Sequence, residues 1–388
     1  MTGNLRLIFP SLPEFSDIEG DLRQLWTSGL ITTAGFTRRF EEAVAERLGV
    51  RHVVAVNSCT SGLILTLRAL DLRGKVVVPA FTFTASGLAA LWSGLVPAFA
   101  DVDPHTFTLD PLSAEANLSE DTAAIMPVNV FGLPPDYQPF LDLAARHKLK
   151  LVFDSAQGLG SSYGGRPAGG FGDAEIFSLS PTKVVTSVEG GLVTTDDATL
   201  AGRVRQMRDY GKSADGEDIC YQGLSARFSE FHAIVGYHAF RKLDALRSRR
   251  QALIKRYRAE LKGVPGISFQ SQPTWLEPSF NYFVIRVEAD AHGMTRDTLH
   301  QKLKAVGIET KRYFHPPLHR QRAYAHLPGI ARVKLPVAES LAESCLALPL
   351  FANLTEEQLG RVTHAIRAAL ALKPGRKEQR ALEGALGR

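Results

Sequence analysis

Residues 151–191 read LVFDSAQGLGSSYGGRPAGGFGDAEIFSLSPTKVVTSVEGG, and they hold two apolar runs of strand type, each ending beside a group that can do chemistry. The first, Leu149–Asp154, ends on a carboxylate. The second, Ala174–Leu179, is followed by Ser180, the turn residues Pro181 and Thr182, and then Lys183. Ligands of open α/β sheets bind outside the carboxyl ends of strands, so both side chains are expected at one functional edge. Taken alone, Asp154 also reads as the cap of a turn, and an arbitrary lysine reads as exposed surface. The neighbours favour a site: Ser178 and Ser180 add hydroxyls, and Glu189-Gly190-Gly191 leaves room for a ligand against the backbone.

Outward from this stretch the same pattern repeats. Strands are predicted at Val53–Val56, Val76–Val78, Ala98–Val102, Ala124–Val128 and Gly191–Thr194, with helical spacing of apolar residues over Ser61–Leu70, Ala85–Trp92, Pro139–His147 and Leu200–Tyr210. Alternation of this kind predicts an α/β fold, a mostly parallel sheet covered by helices. A long charged amphipathic stretch, 230–262, then leads to a predicted strand at Phe283–Val287 and helices at Arg296–Val306 and Thr355–Leu370, the last opened by Thr355 with Glu357 and Gln358 nearby. The expected organisation is a large α/β domain with an N-terminal arm over 1–240, a smaller α+β domain over 241–372, and a basic tail over 373–388.

The chain has 388 residues, 45% of them hydrophobic, enough for more than one core. Its formal charge of +5 is concentrated at the end, where Lys373, Arg376, Lys377, Arg380 and Arg388 face only Glu378 and Glu383. The near-neutral remainder argues against a nucleic-acid surface. Cys59, Cys220 and Cys345 are far apart and form no C-x-x-C pair, which predicts neither a disulfide framework nor a zinc site. Without a basic run before an apolar core, or an apolar stretch near eighteen residues, the expectation is a cytoplasmic protein that does not span a membrane.

Chemistry narrows the reading further. A buried carboxylate at a strand end suits a cationic ring nitrogen, and desolvation of a lysine favours the neutral amine that attacks an aldehyde carbon and later moves protons. Together they point to pyridoxal 5′-phosphate (PLP), whose protonated pyridine withdraws electrons. Asn57-Ser58-Cys59-Thr60-Ser61-Gly62 precedes a predicted helix, where N–H groups and the helix dipole favour a phosphate near Thr60 and Ser61; small polar residues also begin many ordinary helices. In Ala80-Phe81-Thr82-Phe83-Thr84, Phe83 can stack on a flat ring, or it is plain core.

Gly158, Gly160 and Gly164 invite a nicotinamide reading, but their spacing is not G-x-G-x-x-G, and Asp154 precedes them where phosphate would be repelled. No tyrosine has lysine four positions later, as a short-chain reductase requires. A ligand sensor without turnover would be expected to lack Lys183 or Asp154, and both are present.

With Asp154-x-x-Gln157, Phe177-Ser178-x-x-x-x-Lys183 and Glu189-Gly190-Gly191 in place, the chain resembles the DegT/DnrJ/EryC1/StrS aminotransferases. The likeness runs from Gly35-Phe36-Thr37 through Pro79-Ala80-Phe81-Thr82-Phe83 to Leu348-Pro349-Leu350. The resemblance implies a fold-type I, PLP-dependent transaminase acting on nucleotide-linked keto-sugars with L-glutamate as donor, and a homodimer with shared sites. It implies that Lys183 holds PLP as a Schiff base and Asp154 pairs with the pyridine nitrogen. Gln157 is implied at the phenolic oxygen, Phe83 on the ring, and Thr60, Ser61 and Ser178 at the phosphate. Relatives that dehydrate sugars carry histidine where Lys183 stands. Two departures stand out: Ser225 in Gly223-Leu224-Ser225-Ala226-Arg227 replaces an asparagine that reaches the neighbouring subunit's cofactor phosphate, and Val188 replaces a glycine. In Lys311-Arg312-Tyr313-Phe314-His315-Pro316-Pro317-Leu318-His319, resembling the substrate-side loop, Tyr313 and His319 are candidate substrate contacts together with Arg227. Gly35-Phe36-Thr37-Arg38-Arg39 and Leu348-Pro349-Leu350-Phe351 resemble members acting at carbon four of a thymidine-linked 4-keto-6-deoxyhexose. A 3-keto sugar or a cyclitol ketone is the alternative.

Overall fold

A computed structural model describes residues 3–291 and 293–371; the basic stretch over 373–388 lies outside the described residues. Seven strands build the central sheet: β1 (His52–Val56), β2 (Lys75–Pro79), β3 (Val96–Ala100), β4 (Thr122–Ile125), β5 (Lys150–Asp154), β6 (Ala174–Ser178) and β7 (Gly191–Thr195). In space they run β1-β7-β6-β5-β4-β2-β3. β7 is antiparallel to both neighbours and every other pairing is parallel, so the predicted α/β architecture stands.

Side chains alternate between two cores along each strand, as a sheet covered on both faces requires. Val54, Val76, Val152 and Ile176 pack with the helices Cys59–Ala69 and Thr84–Trp92 on one face. Val53, Val77, Phe153 and Phe177 pack on the other with the helices Gly35–Leu48 and Tyr137–His147. The β5 and β6 ends therefore emerge at one edge with both flanks dry.

The stretch 230–262 is two helices, Glu230–Phe240 and Leu243–Leu261, where one amphipathic element was expected. They serve different cores. Ala233 and Phe240 join the layer under the large sheet, whereas Leu253, Ile254 and Tyr257 join a third cluster with Phe283, Ile285 and Leu348. That cluster lines one face of a three-stranded antiparallel sheet formed by 267–269, 283–287 and 345–348. Thr355 and Gln358 cap the helix Glu356–Ala371 reciprocally, Thr355 Oγ1 accepting from Gln358 N–H at 3.1 Å and Gln358 Oε1 from Thr355 N–H at 3.0 Å.

At the other end of the chain, Leu5 belongs to the third cluster and exchanges backbone bonds with Gly307 and Glu309 at 2.8 and 2.9 Å. Helices at Phe15–Ser28 and Gly35–Leu48 were not predicted. The second begins where the buried Glu230 carboxylate accepts the N–H groups of Ala34, Phe36 and Thr37 at 2.7–2.9 Å, a cap supplied from far along the chain. No described helix is long and apolar enough to cross a membrane.

Candidate active site

A cavity of about 300 Å³ opens at the edge where β5 and β6 end, with Asp154, Gln157, Ser178, Lys183, Phe83 and Thr60 all on its wall. Wider grooves exist, such as one of about 590 Å³ beside Arg6, His300 and Lys304, but among the described residues it does not bring a lysine and a buried carboxylate together at a strand edge.

Asp154 is 3% exposed. Its Oδ2 accepts from Ser86 Oγ at 2.6 Å, Ser86 is 3.2 Å from Thr82 Oγ1, and Oδ1 accepts the Ala156 N–H at 3.1 Å. Burial pushes the carboxyl above its ordinary range, while Ser86, the Ala156 N–H and the Lys183 charge pull it back only in part. Among the described residues it has no ion-pair partner, so it is a desolvated acid facing a cavity and suited to a cation placed there.

Lys183 sits in the turn after β6, its N–H donated to the Ser180 carbonyl at 3.0 Å. Close approach assembles the rest. A Cβ on Gly191, at the start of β7, would lie 2.6 Å from Cys59 N, so glycine is what lets β7 meet the first turn of the helix Cys59–Ala69. Ser58 caps that helix by accepting the Ser61 N–H at 3.0 Å, which leaves the helix's first turn directed at the cavity. Gln157 Oε1 accepts from Phe131 N–H at 2.7 Å, so its NH2, without an acceptor among the described residues, is the group it offers a ligand. Phe83 is 53% exposed and presents a free aromatic face.

The sequence profile of the DegT/DnrJ/EryC1/StrS aminotransferase family matches residues 14–367. The chain belongs to this family. An Escherichia coli dTDP-4-amino-4,6-dideoxy-D-glucose transaminase is 29% identical over 91% of this chain and 95% of its own length. A UDP-N-acetyl-3-dehydro-alpha-D-glucosamine 3-aminotransferase of Acidithiobacillus ferrooxidans is 35% identical over 86% of this chain and 88% of its own. Among solved structures, DesI in the presence of its TDP-sugar product superposes with a TM-score of 0.91 at 33% identity, covering 98% of this chain and 96% of the other.

This DegT-family chain is therefore a transaminase of the fold-type I class, and its cofactor is PLP. Its cavity fits that molecule: a buried acid for a protonated ring nitrogen, an amide NH2 for a phenolic oxygen, an aromatic face, and a helix N-terminus for a phosphate.

Not every candidate reaches this cavity. His319 is buried at 3% exposure, its Nε2 2.8 Å from Glu339 Oε1, and burial lowers its pKa; it braces the helix Pro336–Ser344 and does not line the site. Arg227 pairs with Asp209 at 3.3 Å and lies over the Tyr210 ring. Ser225 bridges Asp209, and its carbonyl accepts from Asn57 Nδ2 at 3.1 Å. Neither lines this chain's cavity. The Ser61 hydroxyl is 2.9 Å from Ser58 Oγ, inside the cap, one residue behind Thr60. Tyr313 does line the cavity, alongside Lys311, Phe314, Cys59 and Tyr282. Cys59 and Tyr282 were missed. Cys59 lay within the quoted helix-start motif, but burial and the Asp154 charge push its thiol far up, so it stays a neutral wall. No local signal marked Tyr282.

Proposed function

We propose that the chain transfers the amino group of L-glutamate to the ketone of a nucleotide-diphosphate sugar, a thymidine-linked 4-keto-6-deoxyhexose, releasing 2-oxoglutarate. The observation that carries this reading is the convergence of Lys183 and Asp154 on one cavity with Gln157, Phe83 and Thr60. The E. coli transaminase, named for a dTDP-sugar, and DesI, described in the presence of its TDP-sugar product, support thymidine-linked substrates. A second reading, attack at a 3-keto sugar, is favoured by the Acidithiobacillus relative.

Bound PLP supplies a carbonyl carbon for amino exchange and a ring that withdraws electrons. Lys183 Nζ would hold it covalently and, as an amine, would move the proton at the donor's α carbon. Asp154 would keep the ring nitrogen protonated, with Ser86 and the Ala156 N–H holding the carboxylate in place. Gln157 NH2 would donate to the phenolic oxygen, Phe83 would cover one ring face, and Ser178 with the Thr60–Ser61 turn would hold the phosphate. Tyr313 and Lys311 face the sugar side. The domain division at about residue 240 and a cytoplasmic setting belong to the same reading.

A homodimer completes the site. Ser225 and Arg227 lie near an exposed apolar group, Tyr210, Ile219, Tyr221 and Leu224, at 36–58% exposure, which we assign to the face met by a second copy. The test of the reaction is incubation of PLP-loaded protein and glutamate with matched 3-keto and 4-keto nucleotide sugars, reading 2-oxoglutarate and product mass. Product from the 3-keto sugar alone selects the second reading, and product from neither moves the substrate to another ketone such as a cyclitol.

A further inference from the structure

Two hydrogen bonds fix the backbone on either side of Lys183. Its own N–H is donated to the Ser180 carbonyl at 3.0 Å, a bond inside the turn. The Val184 N–H is donated instead to Asn281 Oδ1 at 3.1 Å, from 97 residues further along the chain. A peptide group is planar, so each bond holds a plane that contains the Lys183 Cα. With both planes held, the direction in which the side chain leaves the backbone is set. No hydrogen bond or ion pair holds the Lys183 ammonium among the described residues, so its place depends on the backbone that carries it.

Asn281 is itself immobilised. It is 1% exposed, just before the strand Phe283–Val287 of the three-stranded sheet, and Arg250 Nη1 donates to its carbonyl at 3.1 Å. Its neighbours are bonded to other loops around the same cavity: Ser279 Oγ donates to the Gln157 carbonyl at 2.5 Å, the Ser279 N–H to the Gly132 carbonyl at 2.9 Å, and the Tyr282 N–H to the Phe131 carbonyl at 3.2 Å. Gln157 and Tyr282 line the cavity with Lys183. A backbone N–H can be met only by the amide oxygen, and the Asn281 Nδ2 has no hydrogen-bond partner among the described residues. What this side chain supplies to the lysine turn is therefore one acceptor.

We infer that Asn281 is a positioning residue for Lys183, its side-chain oxygen setting the peptide plane between Lys183 and Val184 and so aiming the amine at the cavity. The amine must return to one place in both half-reactions, and a misplacement of about 1 Å can cost on the order of a hundredfold in rate. The inference rests on the proposed role of Lys183.

Asn281→Leu removes the acceptor at nearly the same volume, whereas Asn281→Asp keeps an oxygen for the Val184 N–H and gives up only the Nδ2 that has no partner among the described residues. In cofactor-free protein, amide exchange at Val184 is expected to be about tenfold faster in Asn281→Leu, the scale of one lost hydrogen bond, and near wild type in Asn281→Asp. In protein loaded with PLP and given glutamate, kcat is expected to fall about tenfold or more in Asn281→Leu with KM within about twofold, and to recover to within about threefold of wild type in Asn281→Asp. An asparagine that only packs would lower the melting temperature of Asn281→Leu and leave kcat of the folded protein in place, which overturns the inference. An Asn281→Asp enzyme as slow as Asn281→Leu overturns it too, because the acceptor is then not what matters. Where Asn281→Leu does not fold, Asn281→Ser, which draws the acceptor back by one bond, is read for the same loss. Wild-type protein without a borohydride-trappable link at Lys183 would overturn the functional reading and this inference together. A trappable wild type whose kcat is unmoved in the folded variant overturns the inference alone.

Discussion

Asp154→Asn separates the electrostatic role of this side chain from its packing. In the wild type, Oδ2 takes the Ser86 proton at 2.6 Å and Oδ1 the Ala156 N–H at 3.1 Å. Asparagine can keep Oδ1 on Ala156 and donate from its NH2 to Ser86 Oγ, provided Ser86 turns its own proton to Thr82 Oγ1, 3.2 Å away. The network survives, with one of the two Nδ2 protons on Ser86 and the other toward the cavity, so the cofactor-free variant is expected within about 1 kcal/mol of wild type, or above it, because a desolvated charge has gone. The sign with pH follows from the raised carboxyl. The folded protein binds this proton more tightly than the unfolded chain, so wild-type stability falls as pH rises from the unfolded to the folded pKa, and the loss is complete above the latter. The gain of Asp154→Asn over wild type is therefore nil below the ordinary carboxylate range and largest near neutrality. Catalysis moves the other way. Without a carboxylate the ring nitrogen loses its counter-charge, at a cost of several kcal/mol in the transition state, on the order of a hundredfold or more in rate. Denaturant melts of cofactor-free protein across pH and single-turnover mixing of PLP-loaded protein with glutamate read the two effects. Unchanged single-turnover rates, or a loss above about 3 kcal/mol at neutral pH without cofactor, would refute the reasoning.

Lys183→Ala removes a side chain that has no hydrogen bond or ion pair among the described residues; it is expected to abolish borohydride trapping and turnover with the melting temperature nearly unmoved, and a trappable, active variant refutes the anchor. Val188 holds φ at +70° although β-branched and 44% exposed. Relief of strain of about 1–3 kcal/mol against the entropic cost of glycine, about 0.5–1 kcal/mol, predicts that Val188→Gly stabilises by about 1 kcal/mol in denaturant melts; a destabilised variant counts against the strain. Mixing Lys183→Ala with Arg227→Ala subunits is expected to restore up to one working site per mixed dimer, and a fully active monomer in sedimentation excludes shared sites.

The chemistry of this protein was legible wherever a reactive side chain directly follows an apolar strand. Asp154 and Lys183 close β5 and β6 or the turn after it, and a covered parallel sheet leaves strand ends nowhere to go but a common edge. The family motifs lie in these same strand-to-turn segments, which is why fold, cofactor and reaction class could be read from the order of residues. Where contact partners are far apart along the chain, local pattern was silent. The helix Gly35–Leu48 owes its start to Glu230, the turn after Lys183 its backbone bond to Asn281, and nothing within a helical turn of either announces it. His319 shows the converse: an imidazole in a cationic loop read as a candidate substrate contact, but folding turned it toward Glu339, and it does not line the cavity. The one-dimensional order thus determined which chemistry is present. Tertiary packing alone decided which side chains face the cavity, because burial and orientation are properties of distant neighbours.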